Sequence, residues 1–112
     1  MLQRKHRLTK EKDFELVFKK GRSFFVKELG VKVLQNNLDH PRAGIVVSNK
    51  ISKKATERNK IKRRLREALH LAIPNIKSNV DILVITRPTV INLNYQEIES
   101  RLTNCLSKLR LI

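Results

Sequence analysis

Acidic residues are scarce in this sequence: 10 Asp and Glu stand against 25 Lys and Arg, for a formal net charge of +15. A small domain with that surplus repels itself when compact. The partner that most often relieves the strain is a polyanion, either nucleic acid or an anionic membrane. Long apolar runs are also missing. The longest are four residues, as in ILVI at 82–85, far short of the roughly 20 that span a bilayer. The N-terminal MLQRKHR is polar and basic, so no signal-peptide core is read there. A single cysteine, Cys105, forbids an internal disulfide, and a cytoplasmic location is the expectation.

Catalytic and metal-binding patterns are absent too. Gly21, Gly30 and Gly44 are isolated, so no glycine-rich phosphate loop exists. No serine sits in a nucleophile elbow. The acids are scattered, with no close pair at the end of an apolar strand to hold Mg²⁺ for a nuclease. His6, His40 and His70 lie far apart along the chain without a cysteine partner, and no metal site is expected. No catalytic residue is assigned; if the protein takes part in catalysis, the reacting groups come from elsewhere.

What remains is enough to fold. Hydrophobic residues make up 40% of the 112, too many for a disordered basic tail and suited to one domain with a modest core. Residues 1–8 form a basic arm with Arg4, Lys5 and Arg7. Thr9 is placed to cap a helix ending near Lys20, with Gly21 as its stop. Phe14, Val17 and Phe18 share one face of it, while Leu16 points away, giving an aromatic and an aliphatic surface. From Phe24 to about Gln35 the pattern alternates as a strand, with a break near Lys27–Glu28. NNLDHPR at 36–42 is a loop. AGIVVSN at 43–49 is a third strand, and its continuous apolarity suggests a central one.

Ser52 is placed to cap a helix over about 53–72, with Ile61, Leu65, Ala68, Leu69 and Ala72 as its buried stripe and Pro74 as its end. VDILVITR at 80–87 reads as a buried strand closed by Pro88. Asn94 and Glu97 form a capping box for a last helix, whose stripe is Ile98, Leu102, Cys105, Leu106 and Leu109. Cys105 thus reads as a small buried hydrophobe. The order α-βββ-α-β-α implies a two-layer α+β sandwich with a small mixed sheet, as one domain over 1–112.

Charge is concentrated on the middle helix. Between Lys50 and Arg66 there are nine basic residues and one acid, Glu57. At about 100° per residue, Arg58, Lys62 and Arg66 flank the apolar stripe on one side, and Lys60 and Arg64 flank it on the other. Asn59 and Arg63 face directly away. Lys50, Lys53 and Lys54 precede them. A merely solvated face mixes signs, because i, i+4 pairs of opposite charge stabilise and like pairs do not. This face favours a polyanion, with arginine forks and lysine point charges for phosphate. Asn59 can both donate and accept, toward a base edge, a 2′-hydroxyl or a metal-bound water, or is tolerated surface.

Phe14 and Phe18 have two readings. Most aromatics are core. Yet they are two of only five aromatics, one helical turn apart on a helix that has a separate aliphatic side. Partly exposed, they would stack bases of a single strand.

SNKISKKATERNKIKRRLRE at 48–67 resembles the signature of the bacterial ribonuclease P protein subunit, A-x-E-R-N-R-I-K-R-x-x-R-E preceded by basic residues. Lys50, Lys53, Lys54, Ala55, Glu57, Arg58, Asn59, Ile61, Lys62, Arg63, Arg66 and Glu67 match it. RLTKEKDFELVFKKGRSF at 7–24 is similar to the family's opening block, R-L-x-x-x-x-D-F-x-x-V-F-x-x-G. The resemblance implies a ribosomal-protein-like fold with a left-handed crossover around the basic helix. It implies a subunit that binds a catalytic RNA, as one protein per RNA and a monomer in isolation. It also implies removal of the 5′ leader of precursor tRNA, with Mg²⁺ bound mainly through the RNA. The RNA-contacting motif carries over to Arg58, Asn59, Lys62 and Arg63, with the neighbouring Lys50, Lys53, Lys54, Lys60, Arg64 and Arg66. The leader cleft carries over to Phe14 and Phe18, with Arg7 and Lys32 beside them. Lys60 departs from the usual arginine, and Lys32 falls where some members place an aromatic.

Two other classes compete. A non-enzymatic RNA-binding module, such as a ribosomal or assembly protein, has the same charge and fold class. It would not speed leader removal by the catalytic RNA at low Mg²⁺. A helix-turn-helix DNA binder is disfavoured, because no short helix precedes the basic one.

Overall fold

The structure, a computed structural model, describes residues 2–112. Met1, the first residue of the expected basic arm, lies outside the described residues. The helices are α1 (Glu11–Lys20), α2 (Ala55–Ala72) and α3 (Tyr95–Lys108). The strands are β1 (Arg22–Phe25), β2 (Leu29–Gln35), β3 (Arg42–Val46) and β4 (Val80–Thr86). They form one mixed sheet in the order β1-β2-β4-β3, with β3 parallel to β4 and the other pairs antiparallel. The expected element order and the break between β1 and β2 are both present.

Alternation divides the sheet into two faces. Leu29, Val31 and Val33 of β2 share a face with Ile82 and Val84 of β4, and α2 and α3 close over it to form the main core. Leu34, Leu83 and Ile85 point the other way and meet Leu8, Phe14 and Val17 from the arm and α1. The sheet with α2 and α3 makes the two-layer sandwich, and α1 adds a partial cover behind it. Burial on both faces explains why β4 reads as an unbroken apolar run.

β3 corrects one expectation: it is an edge strand, not a central one. Its apolarity has another cause. The N-terminal arm lies along its outer edge, where Arg7 bridges to Ala43 and the Leu8 N–H donates to the Ala43 carbonyl at 2.8 Å. The side chains answer to the faces: Ala43 and Ile45 pack on the main core and Gly44 lies under Leu8 and Phe14, while Val46 at the end is exposed.

The helix starts also differ. α1 begins at Glu11 with Lys10 before it, and Thr9 makes no cap. Glu11 and Asp13 instead bring negative charge to the first turn, which suits the helix dipole. α2 begins at Ala55, not after Ser52. Ser52 lies two residues before the cap position Lys54, its hydroxyl accepting from the Lys54 N–H at 3.1 Å and donating to Glu57 at 2.6 Å. Gly21 does end α1, but with φ −75°, so its use is not a left-handed turn. A Cβ there would lie 2.6 Å from the Val17 carbonyl and 2.9 Å from that of Val33. Leu16 gives no second packing surface, because it is exposed.

α3 follows the sequence closely. Asn94 accepts from the Glu97 N–H at 2.9 Å, and Glu97 accepts from the Asn94 N–H at 3.1 Å. Its stripe, Ile98, Leu102, Cys105, Leu106 and then Leu109, is buried. Cys105 is 0% exposed, and desolvation pushes its thiol pKa up. Both effects suppress the thiolate. A water-soluble disulfide reagent should therefore label the folded chain only at the rate of unfolding, and the denatured chain at once. Rapid stoichiometric labelling in native buffer would contradict this packing. No helix among the described residues is long and apolar enough to cross a membrane.

Candidate nucleic-acid interface

Four apolar residues, Ile61, Leu65, Ala68 and Leu69, anchor α2 to the core. The expected cations line the rest of the helix. Asn59, Lys60, Arg63 and Arg66 are exposed, and Arg58, Lys62 and Arg64 are half-buried on the flanks. Lys50, Lys53 and Lys54 are exposed in the segment before it. Two arginines spend one donor internally: Arg58 Nη1 donates to the Ser52 carbonyl at 2.8 Å and Arg64 Nη1 to the Leu93 carbonyl at 2.9 Å. These bonds fix the stems and leave the remaining donors of each fork outward. Among the described residues, the ion pairs fall at Arg42, His40 and Arg101, and none involves a cation between Lys50 and Arg66. Glu57 is turned to Ser52. The face therefore keeps its charge.

A groove lies on the opposite sheet face, beside α1. Phe18 is 55% exposed, while Phe14 is half-buried against β3. Gly44 makes that approach possible, since a Cβ there would come within 2.6 Å of the Phe14 ring. Phe14, Phe18, Val46 and Leu83 line a largely apolar trough of about 260 Å³, with Glu15 and Lys19 at its rim. A second hollow of about 290 Å³ shares Phe14 and is lined also by Arg7, Thr9, Ile45 and Arg66. Through Phe14 the two hollows connect the α1 groove to the flank of α2.

All four expected cleft residues lie on this side. Lys32 Nζ donates to the Phe18 carbonyl at 2.8 Å and stands 4.1 Å from the Phe18 ring centroid, a cation–π contact that fixes the ring. Arg7 is exposed, with its Nε on the Leu2 carbonyl at 3.1 Å.

Sequence reasoning missed the ion cluster behind the groove. Arg42 grips Asp81 through two bonds, Nε–Oδ1 at 2.9 Å and Nη2–Oδ2 at 2.7 Å. It also reaches Asp13 of α1 at 3.4 Å. The Asp81 hydrogen bonds hold the Arg42 pKa above its usual value. Nothing in a linear reading joins positions 13, 42 and 81. The histidines are likewise closer than their spacing implies. The rings of His6 and His40 meet edge to face with centroids 5.6 Å apart, and His6 shares a small cavity with His70. A hydrogen bond from His40 holds the Asp39 carboxyl below its ordinary pKa. Among the described residues, no three His, Cys, Asp or Glu side chains converge as a metal site.

The ribonuclease P family model matches residues 2–110. The ribonuclease P protein component of Alkaliphilus metalliredigens is 37% identical over 111 residues, 99% of either chain. That of Streptococcus pneumoniae is 38% identical over 105 residues, covering 94% of this chain and 85% of the relative. The RNase P protein of Staphylococcus aureus, solved at 2.0 Å, matches with a TM-score of 0.87 at 34% identity, over 95% of this chain and 96% of that one. The RNase P protein of Thermotoga maritima matches with a TM-score of 0.82 at 35% identity, over 91% and 96%. Alike in sequence and in backbone from one end to the other, these chains share one family, and this chain belongs to it: the ribonuclease P protein family.

Proposed function

We propose that the chain works as the protein subunit of a ribonuclease P holoenzyme in which α2 docks on the catalytic RNA. The groove beside α1 takes the single-stranded 5′ leader of precursor tRNA, and the leader is cut off to give the mature 5′ end. The observation that carries this reading is the uncompensated cationic face of a helix whose other face is locked into the core. Such a surface gains most from an array of phosphates.

Division of labour follows from the side chains. Arg63, fully outward, offers a planar fork to phosphate, and Asn59 beside it can read a polar edge. Phe18 is exposed with the Lys32 ammonium against its ring, so a leader base can stack on the open part of the ring and Lys32 adds a cation to the groove. The protein supplies binding and orientation. The reacting groups and Mg²⁺ belong, in this proposal, to the RNA, because the carboxylates do not suit a metal: Asp81 is bound by Arg42 and Asn36, Asp13 is paired with the same Arg42, and among the described residues no three His, Cys, Asp or Glu side chains converge.

The test is reconstitution with a bacterial ribonuclease P RNA transcript and precursor tRNA. Adding the chain should speed leader removal at low Mg²⁺. If the RNA binds the chain but cleaves no faster, a non-enzymatic RNA-binding module replaces this reading. Within the same assay, Phe18→Ala should weaken binding of the precursor by roughly tenfold, since one base–aromatic stack contributes about 1–3 kcal/mol. Affinity for mature tRNA should not change. Phe18 is exposed, so the fold should survive; an equal loss for both RNAs would remove the leader from the groove.

A further inference from the structure

A second basic site lies at the other end of the sheet. Arg22 pairs with Val33, and Gln35 with Val80, where β2 finishes and β4 starts. Above them is a polar cavity of about 340 Å³, lined by Arg22, Gln35, Ser78, Asn79 and Arg110 but by no Asp or Glu. β3 ends beside Ile85, so the basic start of α2 stands at the opposite end of β4. The cavity nevertheless opens on the sheet face that α2 and α3 cover, away from the α1 groove.

Arg110 is its unusual residue. α3 ends in a Schellman turn, with the Arg110 N–H on the Ser107 carbonyl and the Leu111 N–H on the Leu106 carbonyl, each at 2.9 Å. Arg110 holds the left-handed position of that turn at φ 60°, the one non-glycine residue with positive φ among the described residues. Glycine is the residue that fits there. A side chain kept at such a position points to a use for it. The backbone already satisfies the turn, and among the described residues the Arg110 guanidinium has no hydrogen bond or ion pair. Arg22 differs, since its Nη2 caps the Leu109 carbonyl at 3.2 Å. The Lys77 N–H, on the Leu111 carbonyl at 3.1 Å, ties the turn to the segment before β4.

We infer that the Arg22–Arg110 cavity is a second phosphate-binding site, taking the backbone of the same catalytic RNA that α2 docks on. This rests on the proposed RNA-bound role of the chain, but on residues that neither α2 nor the α1 groove uses. Binding at both ends of the sheet would lay the α2–α3 face along the RNA and fix its orientation.

Arg110→Gly separates structure from binding, because glycine suits the turn and only the charge is lost. Its melting temperature should be no lower than the parent's. Its affinity for a ribonuclease P RNA transcript should fall, and the log–log salt dependence should flatten by about one unit. Arg22→Gln, a neutral polar replacement at an exposed strand position, should flatten it likewise. Leader removal at saturating protein should keep its KM for precursor tRNA. If Arg110→Gly leaves the slope unchanged while alanine at Arg58 and Arg63 flattens it, this site is not a phosphate site. A raised KM for precursor with an unchanged RNA slope would also overturn the assignment. If neither Arg110→Gly nor alanine at Arg58 and Arg63 moves the slope, the RNA-bound role proposed for α2 fails and this site falls with it.

Discussion

With α2 docked on the catalytic RNA as proposed, alanine at both Arg58 and Arg63 should weaken that binding by roughly a hundredfold, taking about 1.5 kcal/mol for each charge-assisted contact. The log–log salt dependence should flatten by about one to two units, because each lost phosphate contact releases fewer counterions. The two residues differ in kind. Arg63 faces straight out from the stripe and is exposed, so its single replacement should leave the melting temperature alone and report binding only. Arg58 is half-buried and holds the Ser52 carbonyl at 2.8 Å. Its replacement also loosens residues 51–54 and with them Lys53 and Lys54. Arg58→Ala should therefore lower stability slightly and affinity more than one phosphate contact accounts for. Direct titration of the RNA across a salt series checks both points. An unchanged slope in the double variant would mean that these arginines touch no phosphate.

The parts of the fold legible in the sequence are those decided by neighbours within a turn or two. The α2 stripe, the α3 stripe and the Asn94–Glu97 box depend on i, i+3 and i+4 geometry, which the chain carries in itself. The position of β3 does not. Its apolar run reports cover on its faces, not the number of strands beside it; only the distant Leu8 reveals that the outer edge is taken by the arm and not by another strand. Ser52 and Thr9 show the same limit, since each is a good cap residue with another possible partner or none. Ser52 sits two residues too early to cap, and its hydroxyl bonds the Lys54 N–H and the first-turn Glu57 instead.

The candidate site divides along the same line. The cationic face of α2 is a local property and was readable from spacing alone. The groove was half readable: Phe14 and Phe18 share a face, but which is open depends on the sheet beneath. Gly44 carries a usable signal, because a glycine inside a strand marks a close approach; here the approaching group is the Phe14 ring. The resemblance put Lys32 in the cleft, but its contact with the Phe18 ring needs the strand register that sets Lys32 opposite Leu83.

Arg42→Ala should destabilise the protein by about 3 kcal/mol, lowering the melting temperature by roughly 10–20 °C. Asp81 is 7% exposed, and Arg42 provides two of the three hydrogen bonds to its carboxylate, the third coming from Asn36 Nδ2 at 2.9 Å. Without Arg42 a buried charge is left with one neutral donor. Arg42→Lys should recover only part of the loss, since an ammonium cannot reproduce the paired geometry. If the penalty is the stranded carboxylate, Asp81→Asn should restore some stability to Arg42→Ala, a coupling that a double-mutant cycle reads directly. Asp13 tests the link to function. Its contact with Arg42 is long, at 3.4 Å, and both side chains are partly exposed, so Asp13→Asn should shift stability by less than about 1 kcal/mol. Yet Asp13 immediately precedes Phe14, and its bond to β3 sets α1 against the floor of the groove. In a reconstituted holoenzyme, Asp13→Asn should reduce the preference for precursor over mature tRNA out of proportion to its effect on melting. Loss of stability below about 0.5 kcal/mol in Arg42→Ala, or an unaltered preference in Asp13→Asn, would detach this cluster from the roles given to it.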